Sequence, residues 1–285
     1  MKRGYPAGVL KRLHEVELDI LLAIDKVCED NDLTYFLDSG TALGAVRHGG
    51  FIPWDDDVDI GLPLDDYRRF LKIAPDALPR GFSVHTALNT EGLASLWVKV
   101  FADGTRFIDN DMMEAGCNQG IFVDVFPYCS LPKDESEVKN LVRQATKLQR
   151  MSYLHFIEHP KVPRTTPFRP LVQLGCVVTH FFAARLTSID KIAHDFDDIL
   201  SVPGDGRRWY DPCYGSFVFD NDDLFPMVRL DFEGHSLPVP ANCDAYLKVL
   251  YGDYNQLPSE EDRYTHTPII LDFGESVNVM KDTEE

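Results

Sequence analysis

The segment Pro53-Trp54-Asp55-Asp56-Asp57-Val58-Asp59-Ile60-Gly61 places four carboxylates within five positions, beside apolar residues. In an extended strand the side chains alternate between two faces, so Asp55, Asp57 and Asp59 are predicted to share one face. Three like charges on one face repel one another, and their burial without a partner is costly. Mg²⁺ or Mn²⁺, hard cations that prefer oxygen ligands, would remove this conflict. The segment therefore predicts a metal site of the kind that phosphoryl-transfer enzymes use.

Two other interpretations of the acidic segment were open. Acidic runs usually lie on the solvated surface, but the apolar residues within 51–54 and 58–62 indicate partial burial. An EF-hand loop would also begin with aspartates at its first, third and fifth positions. It needs Gly at the sixth position and Glu at the twelfth, where this chain has Ile60 and Asp66. The sequence therefore excludes an EF-hand.

The composition is that of a folded, strongly acidic protein. With 285 residues and 44% apolar residues, the chain can form one large domain or two small ones. It has 28 Lys and Arg against 46 Asp and Glu, a formal net charge of -18. Since no run of five basic residues offsets this charge, no nucleic acid partner is expected.

The cysteines and the apolar segments bear on the location of the protein. The six cysteines form no C-x-x-C pair, so structural zinc is not expected and the thiols are expected to be reduced. The basic N-terminus lacks the apolar stretch of a signal peptide. No apolar run is long enough for a membrane span. We predict a cytoplasmic protein with at most peripheral membrane contact through residues 167–186, which are better explained as a buried helix.

Hydrophobic periodicity predicts an α+β fold. Helices are predicted at 9–28, 39–46, 64–73, 135–156 and 241–251, with further helix within 168–200. Strands are predicted at 34–37, 57–62, 82–87, 96–101 and 121–126, with shorter strands at 216–219 and 228–232. The pattern changes near Pro132, which predicts a catalytic half, 1–132, and a helix-rich half, 133–285, that completes the substrate site.

The start of the second predicted helix could bind phosphate. Its first residues are Ser39, Gly40 and Thr41, and a glycine at a helix N-terminus lets an anion approach free backbone N–H groups. Simple capping, with Ser39 as the cap, is the alternative. Residues 44–50 do not form a phosphate loop of the Walker type, because Gly50 stands where the essential Lys would be.

Other charged residues could join the acidic segment. Asp124 is the single charge in an apolar strand and could be a third metal ligand, although an aspartate on an edge strand facing solvent is the alternative. Arg47 and His48 lie between the helix and the acidic segment, where they could bind phosphate or pair with the aspartates. Lys99 and Arg106 are further candidate cations.

Residues 37–60, LDSGTALGAVRHGGFIPWDDDVDI, resemble the signature of the LicD family. This family includes bacterial phosphocholine transferases and relatives of fukutin. The resemblance continues through 122–127 (FVDVFP), through 251–254 (YGDY), and at Pro258 and His266. Residues 133–235 contribute little to it.

The resemblance implies a fold of the DNA polymerase β nucleotidyltransferase type, a mixed sheet flanked by helices. It implies Mg²⁺ or Mn²⁺ bound by Asp57 and Asp59, with Asp124 as the third carboxylate. Asp55 would orient the metal site or act as a base. Lys99 matches a position where the family usually keeps Lys or Arg. The expected catalytic residues are Asp55, Asp57, Asp59 and Asp124, and the expected donor-binding residues are Ser39, Gly40, Thr41, Arg47, His48, Lys99 and Arg106.

The resemblance also implies a reaction. Members transfer a phospho-alcohol from a CDP-alcohol to a sugar hydroxyl and release CMP, so the expected donor is a CDP-alcohol, CDP-choline foremost. The expected acceptor is a glycan or a lipid-linked glycan of the cell surface. Three alternatives stay open: a nucleotidyltransferase that releases pyrophosphate, a metal-dependent glycosyltransferase, and a cation-binding module without catalysis.

Overall fold

The acidic segment leads into the second strand of a seven-stranded mixed sheet. The structure is a computed structural model that describes residues 4–160, 162, 166–214, 217–263 and 265–281. The strands are β1 (Phe36–Leu37), β2 (Asp59–Pro63), β3 (Phe82–His85), β4 (Val98–Ala102), β5 (Arg106–Ile108), β6 (Phe122–Ser130), β7 (Arg208–Tyr210), β8 (Val218–Asp220), β9 (Val228–Phe232), β10 (His235–Val239) and β11 (Ile270–Asp272). The helices are α1 (Val9–Asp30), α2 (Ser39–His48), α3 (Leu64–Ala77), α4 (Asn110–Ala115), α5 (Glu135–Phe156), α6 (Arg169–Leu186), α7 (Ile189–Leu200), α8 (Asn221–Leu224) and α9 (Cys243–Tyr251). Helices flank the sheet, which confirms the predicted α+β class with a nucleotidyltransferase-like mixed sheet.

The strand register brings three charged residues together at the centre of the main sheet. The strand order is β1-β2-β6-β4-β3, and β7 and β8 extend the sheet from β6. In the parallel pair β2–β6, Asp59 lies opposite Asp124. In the antiparallel pair β6–β4, Lys99 lies opposite Asp124. Because residues opposite each other point to the same face of a sheet, these three side chains form one row.

The main hydrophobic core contains residues from both predicted halves of the chain. Helix α1 buries one face, including Ile20 and Ile24, against the sheet. The same core includes Phe126 of β6, Leu237 of β10 and Tyr246 of α9. A second core joins α5 and α7 to the end of β6. The division at residue 132 stays a prediction, and the packing of the main core runs across it.

The acidic segment differs locally from its predicted conformation. Strand β2 begins at Asp59, two residues after the predicted start, so Asp55 and Asp57 lie in the loop before it. Asp55, Asp57 and Asp59 therefore do not share one face of a strand, because only Asp59 belongs to β2. Long-range contacts act on this loop, because the backbone N–H groups of His266 and Thr267 bind the Asp56 carboxylate.

The cap of α2 also differs from its prediction. Asp38, rather than Ser39, is the N-cap; its backbone is extended and its side chain accepts a hydrogen bond from the Ser39 N–H. Other helices and strands lie close to their predicted positions, and α5 has the predicted bounds. Ser216, in the predicted strand 216–219, lies outside the described residues; the remainder overlaps β8. The predictions missed the short elements β5, α4, β7, α8, β10 and β11.

The prediction that residues 167–186 form a buried helix is wrong in one respect. The helix is present as α6, but Ala183 is its one buried residue. Apolar composition suggested burial, but the rest of the described chain covers little of this helix. Within the described ranges, no single helix is long and apolar enough to cross a membrane; α6 and α7 meet those two criteria only as a pair, and they are bent by 96°. The predicted location of the protein stays a prediction.

Candidate active site

A cavity of about 610 Å³ opens beside the start of α2 and the acidic segment. Asp55, Asp57 and Asp59 contribute to its wall, which joins residues from both ends of the chain. Ser39, Gly40 and the other lining residues come from α2, the acidic loop, the strands β2, β6 and β8, the segment between β7 and β8, helix α9 and the segment after it. The sequence-predicted aspartates of the acidic segment thus share one cavity, although they do not share one strand face.

The carboxyls in this wall are difficult to ionise together. Burial, followed by the charges of Asp57 and Asp56, raises the pKa of Asp55 to about 8. Burial and the charge of Asp57 raise the pKa of Asp59 well above its usual range. Burial also raises the pKa of Asp57. Near neutral pH these groups either retain protons or require a nearby cation.

The donor set fits a hard divalent cation. Oδ1 of Asp59 is buried and has no hydrogen-bond partner among the described residues. Asp55 and Asp57 line the same cavity, and the three offer only oxygen atoms. Carboxylate oxygens are the ligands that Mg²⁺ prefers in proteins, and a cation would satisfy the unpaired oxygen and lower the raised pKa values.

Asp56 has a structural role beside this site. It is fully buried, and it accepts hydrogen bonds from the Tyr5 hydroxyl at 2.6 Å and from the backbone N–H groups of His266 at 2.9 Å and Thr267 at 2.8 Å. Burial raises its pKa, but the hydrogen bond and the charge of His266 outweigh burial, so the pKa of Asp56 is lowered. Asp56 therefore anchors the segment around 266 to the acidic loop.

Asp56, Asp57 and His266 present ligand atoms within 4.8 Å of one another. Burial lowers the pKa of His266, but the hydrogen bond with Asp56 and the charge of Asp57 outweigh it and raise the pKa to about 9. A metal would have to displace the proton of this imidazolium before the ring could act as a ligand. We therefore interpret this cluster as an ion-pair network, with Nδ1 of His266 3.2 Å from Asp56 and 3.6 Å from Asp57.

Asp124 is buried in the sheet and paired with a lysine. Its carboxylate lies 2.6 Å from Nζ of Lys99 and accepts a hydrogen bond from the Trp97 indole at 2.7 Å. The Lys99 ammonium also lies 3.7 Å from the centre of the Phe122 ring. The alternative of a solvent-facing edge aspartate is wrong, since Asp124 is buried on a central strand. The sequence analysis expected a metal ion as the positive partner of Asp124, whereas the structure shows Lys99 as its positive partner. Metal ligation by Asp124 stays a prediction.

The first turn of α2 is built around a close approach of Asp55. A Cβ atom on Gly40 would lie 2.8 Å from Oδ2 of Asp55, so a glycine is required for this packing. Ser39 and Gly40 line the cavity. Thr41 is buried outside the lining, where its hydroxyl accepts a hydrogen bond from the Asp59 N–H at 2.9 Å. Thr41 thus positions the start of β2.

The N-cap Asp38 links this turn to the end of the chain. It is buried and accepts hydrogen bonds from the Ser39 N–H at 2.6 Å, from the Tyr128 hydroxyl at 2.9 Å and from the Tyr246 hydroxyl. Tyr128 lies on β6 and Tyr246 on α9. The helix start that faces the cavity is therefore held by residues from two distant parts of the sequence, β6 and α9.

The predicted cations occupy different places. Arg47 lines the cavity, and its guanidinium donates to the Tyr254 carbonyl at 2.9 Å and to Nε2 of His48 at 3.0 Å. His48 itself lies outside the lining. Lys99 is buried beside Asp124. Arg106 is exposed on β5 and donates to the Asn118 side chain at 3.2 Å. Of the four predicted cationic residues, the structure brings one, Arg47, to the cavity.

Sequence reasoning missed the aromatic wall of the cavity. Aromatic side chains in the lining are Trp54, Tyr128, Tyr214, Phe217, Phe219, Tyr251 and Tyr254. The ring of Trp54 is itself covered by the Arg263 guanidinium, 4.1 Å from the ring centre. The YGDY sequence at 251–254 was the available signal for two of these residues. Aromatic faces attract cations, including quaternary ammonium groups.

Glu17 of α1 was also missed. Both of its carboxylate oxygens are buried without a hydrogen-bond partner in the described part of the chain. Burial and the charge of Asp57 raise the pKa of Glu17 well above its usual range. Glu17 is therefore expected to be neutral. Its position in the buried face of an amphipathic helix gave no sequence signal for proximity to the acidic loop.

Comparison with known proteins supports the predicted family resemblance. Residues 32–168 match the family described as LicD/FKTN/FKRP, nucleotidyltransferase domain. The lipopolysaccharide cholinephosphotransferase LicD of Haemophilus influenzae is 26% identical over 271 residues, which cover 90% of this chain and 95% of that protein. The predicted resemblance to the LicD/FKTN/FKRP family is therefore confirmed over residues 32–168, and the relatives support an enzyme of the phosphotransferase class.

A second group of relatives is matched over a shorter region. The ribitol 5-phosphate transferase FKRP of Mus musculus is 30% identical over 140 residues, which are 48% of this chain and 24% of that protein. The FKRP of Homo sapiens is 52% identical over 65 residues, 23% of this chain and 12% of that protein. The chain thus spans about a quarter or less of the FKRP proteins that it matches.

Proposed function

We propose that the protein transfers phosphocholine from CDP-choline to a hydroxyl of a cell-surface glycan precursor and releases CMP. The observation that carries this proposal is a single cavity that is lined by both carboxylates and aromatic side chains. A quaternary ammonium is attracted to aromatic faces and to nearby negative charge, whereas an uncharged alcohol such as glycerol or ribitol gains neither contribution. The cholinephosphotransferase that matches nearly the full length of the chain supports the same choice.

Asp57 and Asp59 would hold Mg²⁺ or Mn²⁺, with Asp124 as a proposed third carboxylate. The unpaired Oδ1 of Asp59 and the raised pKa values of both residues support this assignment. When bound, the cation would neutralise negative charge on the diphosphate of the donor.

Asp55 is our candidate for the general base. A base is most effective when its pKa lies near the working pH; the pKa of Asp55 is about 8 without a cation, and a cation held by Asp57 and Asp59 would lower it toward that pH. In the proposed step, a bond forms between the acceptor oxygen and the phosphorus of phosphocholine, and the bond from that phosphorus to CMP breaks. The acceptor proton passes to the Asp55 carboxylate. Gly40 sets the position of this carboxylate, because it allows Oδ2 to pack against the first turn of α2.

Arg47 would position the donor. Its guanidinium reaches the cavity from the last turn of α2 and is held by the Tyr254 carbonyl. A guanidinium held in this way can donate to phosphate oxygens with little further loss of freedom. Alignment of the two substrates accounts for a large part of the expected rate acceleration.

The direct test is a product assay. The protein would be incubated with Mg²⁺, a glycan acceptor and, in separate reactions, CDP-choline, CDP-ethanolamine, CDP-glycerol, CDP-ribitol or CTP. We expect CMP from CDP-choline in preference to the other donors, loss of the reaction on chelation, and recovery with Mg²⁺ or Mn²⁺ but not efficiently with Zn²⁺. Release of pyrophosphate from CTP without CMP from any CDP-alcohol would identify a nucleotidyltransferase instead. Undiminished turnover after exhaustive chelation would contradict the metal assignment.

A variant pair tests the choice of phosphocholine. Tyr251→Leu removes an aromatic face from the cavity, and we expect it to raise KM for CDP-choline about 10-fold, since a desolvated cation–π contact contributes on the order of 1–2 kcal/mol. The same variant should leave KM for CDP-glycerol nearly unchanged. Tyr153→Leu, on α5 outside the cavity, is the matched control. Equal effects of Tyr251→Leu on both donors would contradict recognition of choline by this wall.

A further inference from the structure

Helix α6 presents an apolar surface that the rest of the described chain leaves open. The helix has 18 residues, of which Ala183 is buried. Leu171, Phe182 and Leu186 are 67%, 53% and 77% exposed. Isolated apolar residues on a surface are ordinary, but a continuous apolar helix face indicates contact with another apolar body.

Two polar side chains of α6 are compatible with an apolar environment. The Thr179 hydroxyl donates to the Gly175 carbonyl at 2.8 Å, within the helix. Nδ1 of His180 bonds to the Leu154 carbonyl on α5 at 3.0 Å. Because these two groups already have partners within the protein, removal of water from the helix face would not leave them unsatisfied.

A basic stripe on α5 runs alongside the apolar helix. Arg143, Lys147 and Arg150 are exposed and are spaced by three or four residues, so they lie on one face of α5. With Phe182 and Leu186 of α6, they line a groove of about 750 Å³. Within the described ranges, none of the three basic side chains forms an ion pair with a carboxylate. Their charge is therefore available to a partner.

This charge contrasts with that of the whole protein. Residues 138–189 contain eight Lys and Arg and one acidic residue, Glu158, whereas the complete chain has a net charge of -18. A local excess of positive charge beside an apolar helix, in an otherwise acidic protein, favours a partner that is both apolar and negatively charged.

We propose that the α5–α6 face, defined as the exposed apolar residues of α6 together with Arg143, Lys147 and Arg150, binds the surface of a membrane that contains anionic phospholipids. In this arrangement α6 lies in the interface with its apolar side chains at the acyl boundary, and the basic side chains contact lipid phosphates. The inference rests on the face itself and does not depend on the proposed transfer of phosphocholine.

Two other occupants fit the face less well. A second copy in a two-fold dimer would place the same patch against itself, so the unpaired positive charges of both copies would repel. A nucleic acid would match the basic stripe but would leave the apolar side chains of α6 uncovered. An anionic bilayer covers both parts of the face.

Vesicle sedimentation with the full-length protein tests the proposal. We expect binding to vesicles of phosphatidylcholine mixed with phosphatidylglycerol, weaker binding to phosphatidylcholine alone, and weakening by salt. The variant Arg143→Gln/Lys147→Gln/Arg150→Gln should bind the mixed vesicles about 100-fold more weakly, since each basic residue near such a surface contributes about a factor of five. The variant Lys11→Gln/Lys72→Gln/Arg80→Gln removes the same charge elsewhere and should bind within a few-fold of the wild type.

A second pair of variants tests the apolar part. Phe182→Ser/Leu186→Ser should lose vesicle binding, whereas Leu88→Ser/Val277→Ser, which changes side chains that are 52% and 54% exposed, should retain it. Circular dichroism of each variant verifies that the fold is intact. An independent readout is Phe182→Trp, whose fluorescence should be quenched by brominated lipids, while that of Leu88→Trp should not. Absence of wild-type binding, equal binding of the charge variants, or a dimer in solution that Phe182→Ser/Leu186→Ser abolishes would overturn the proposal.

Discussion

At Asp57 and Asp59, the charge of the carboxylate is expected to matter more than its shape. Asparagine is nearly isosteric but removes one ligand charge, so Asp57→Asn or Asp59→Asn should lower turnover at least about 100-fold, or roughly 2.7 kcal/mol of barrier. The fold should be retained, because each change relieves repulsion among buried carboxyls. CMP release at saturating metal, together with thermal unfolding, measures both effects. The exposed Asp65→Asn is the control, and retention of more than about a tenth of activity in both variants would contradict the site.

The buried pair of Lys99 and Asp124 has a structural consequence that can be separated from catalysis. The two side chains are 7% and 8% exposed. Asp124→Asn leaves the ammonium buried without its countercharge and should lower the free energy of unfolding by about 3–5 kcal/mol. Asp124→Asn/Lys99→Met removes both charges and should recover most of this loss in urea unfolding. If Asp124 is also a metal ligand, the double variant will regain stability but neither turnover nor Mg²⁺ affinity.

The reverse outcome is equally informative for Asp124. A double variant that regains stability and turnover together would restrict Asp124 to a structural role. For these variants Asp65→Asn is again the control. The next residue, Asp66, is unsuitable as a control because it accepts hydrogen bonds from the Thr34 N–H and from Arg69.

At the scale of elements, the first turn of α2 depends on the absence of a side chain at residue 40. Gly40→Ala places a Cβ 2.8 Å from Oδ2 of Asp55, so the carboxylate must move. We expect a loss of turnover of roughly 10- to 100-fold, since small displacements of a catalytic group have effects of this size. Stability should change little, because alanine is favoured over glycine within a helix. Gly175→Ala, a helical site with no atom within 4 Å of the added Cβ, is the matched control; equal kinetics for both variants would contradict the role of Gly40.

The hydroxyl of Tyr246 links helix α9 to the N-cap of α2. Tyr246→Phe removes a donor from the buried carboxylate of Asp38 and should lower the free energy of unfolding by about 1–3 kcal/mol. Tyr254→Phe removes a hydrogen bond to the exposed Asp244 and should have a much smaller effect. Urea unfolding of the two variants gives the comparison. Equal losses would show that the Asp38 contact contributes no more than a surface hydrogen bond.

Predictability from the sequence differed between elements for physical reasons. Helix α5 was predicted with its observed bounds because its apolar period is regular and Asp134 caps its first turn. Helix α6 was assigned correctly as a helix but incorrectly as buried, since periodicity and composition do not specify what an apolar face contacts. The strands β5 and β11 pair with each other across more than 160 positions, and such short strands carry too few residues for a periodic signal.

At the scale of the whole molecule, the site depends on contacts between distant residues. The carboxylates of the acidic segment could be predicted because their charges conflict within a few positions. The neighbours of Asp56, at residues 266 and 267, lie more than 200 positions away, and no local pattern links them. The place of Asp124 beside Asp59 could be expected from the family resemblance, but its pairing with Lys99 depended on strand register.

The ion pair of His266 gives the folded protein a specific pH dependence. The pKa of His266 is raised from 6.5 to about 9, so its contribution to stability is fully present below about pH 6.5 and is lost as the pH rises through about 9. Because the side chain is 35% exposed, solvent screening reduces the expected contribution to about 1–2 kcal/mol. Between pH 6 and pH 10, in the presence of chelator, the wild type should lose about this much more free energy of unfolding than His266→Gln. His235→Gln, at an exposed site, should follow the wild type, and parallel pH profiles for all three proteins would contradict the assignment.

The distance in sequence between Asp56 and His266 also has a consequence during synthesis. A ribosome adds His266 210 residues after Asp56, which takes roughly 10–40 s at ordinary elongation rates. Throughout that interval the nascent acidic loop lacks the imidazolium and the backbone donors that hold it in the finished protein. The loop must therefore remain hydrated or attract ions from solution, and the cavity acquires its native balance of charge only as translation nears its end.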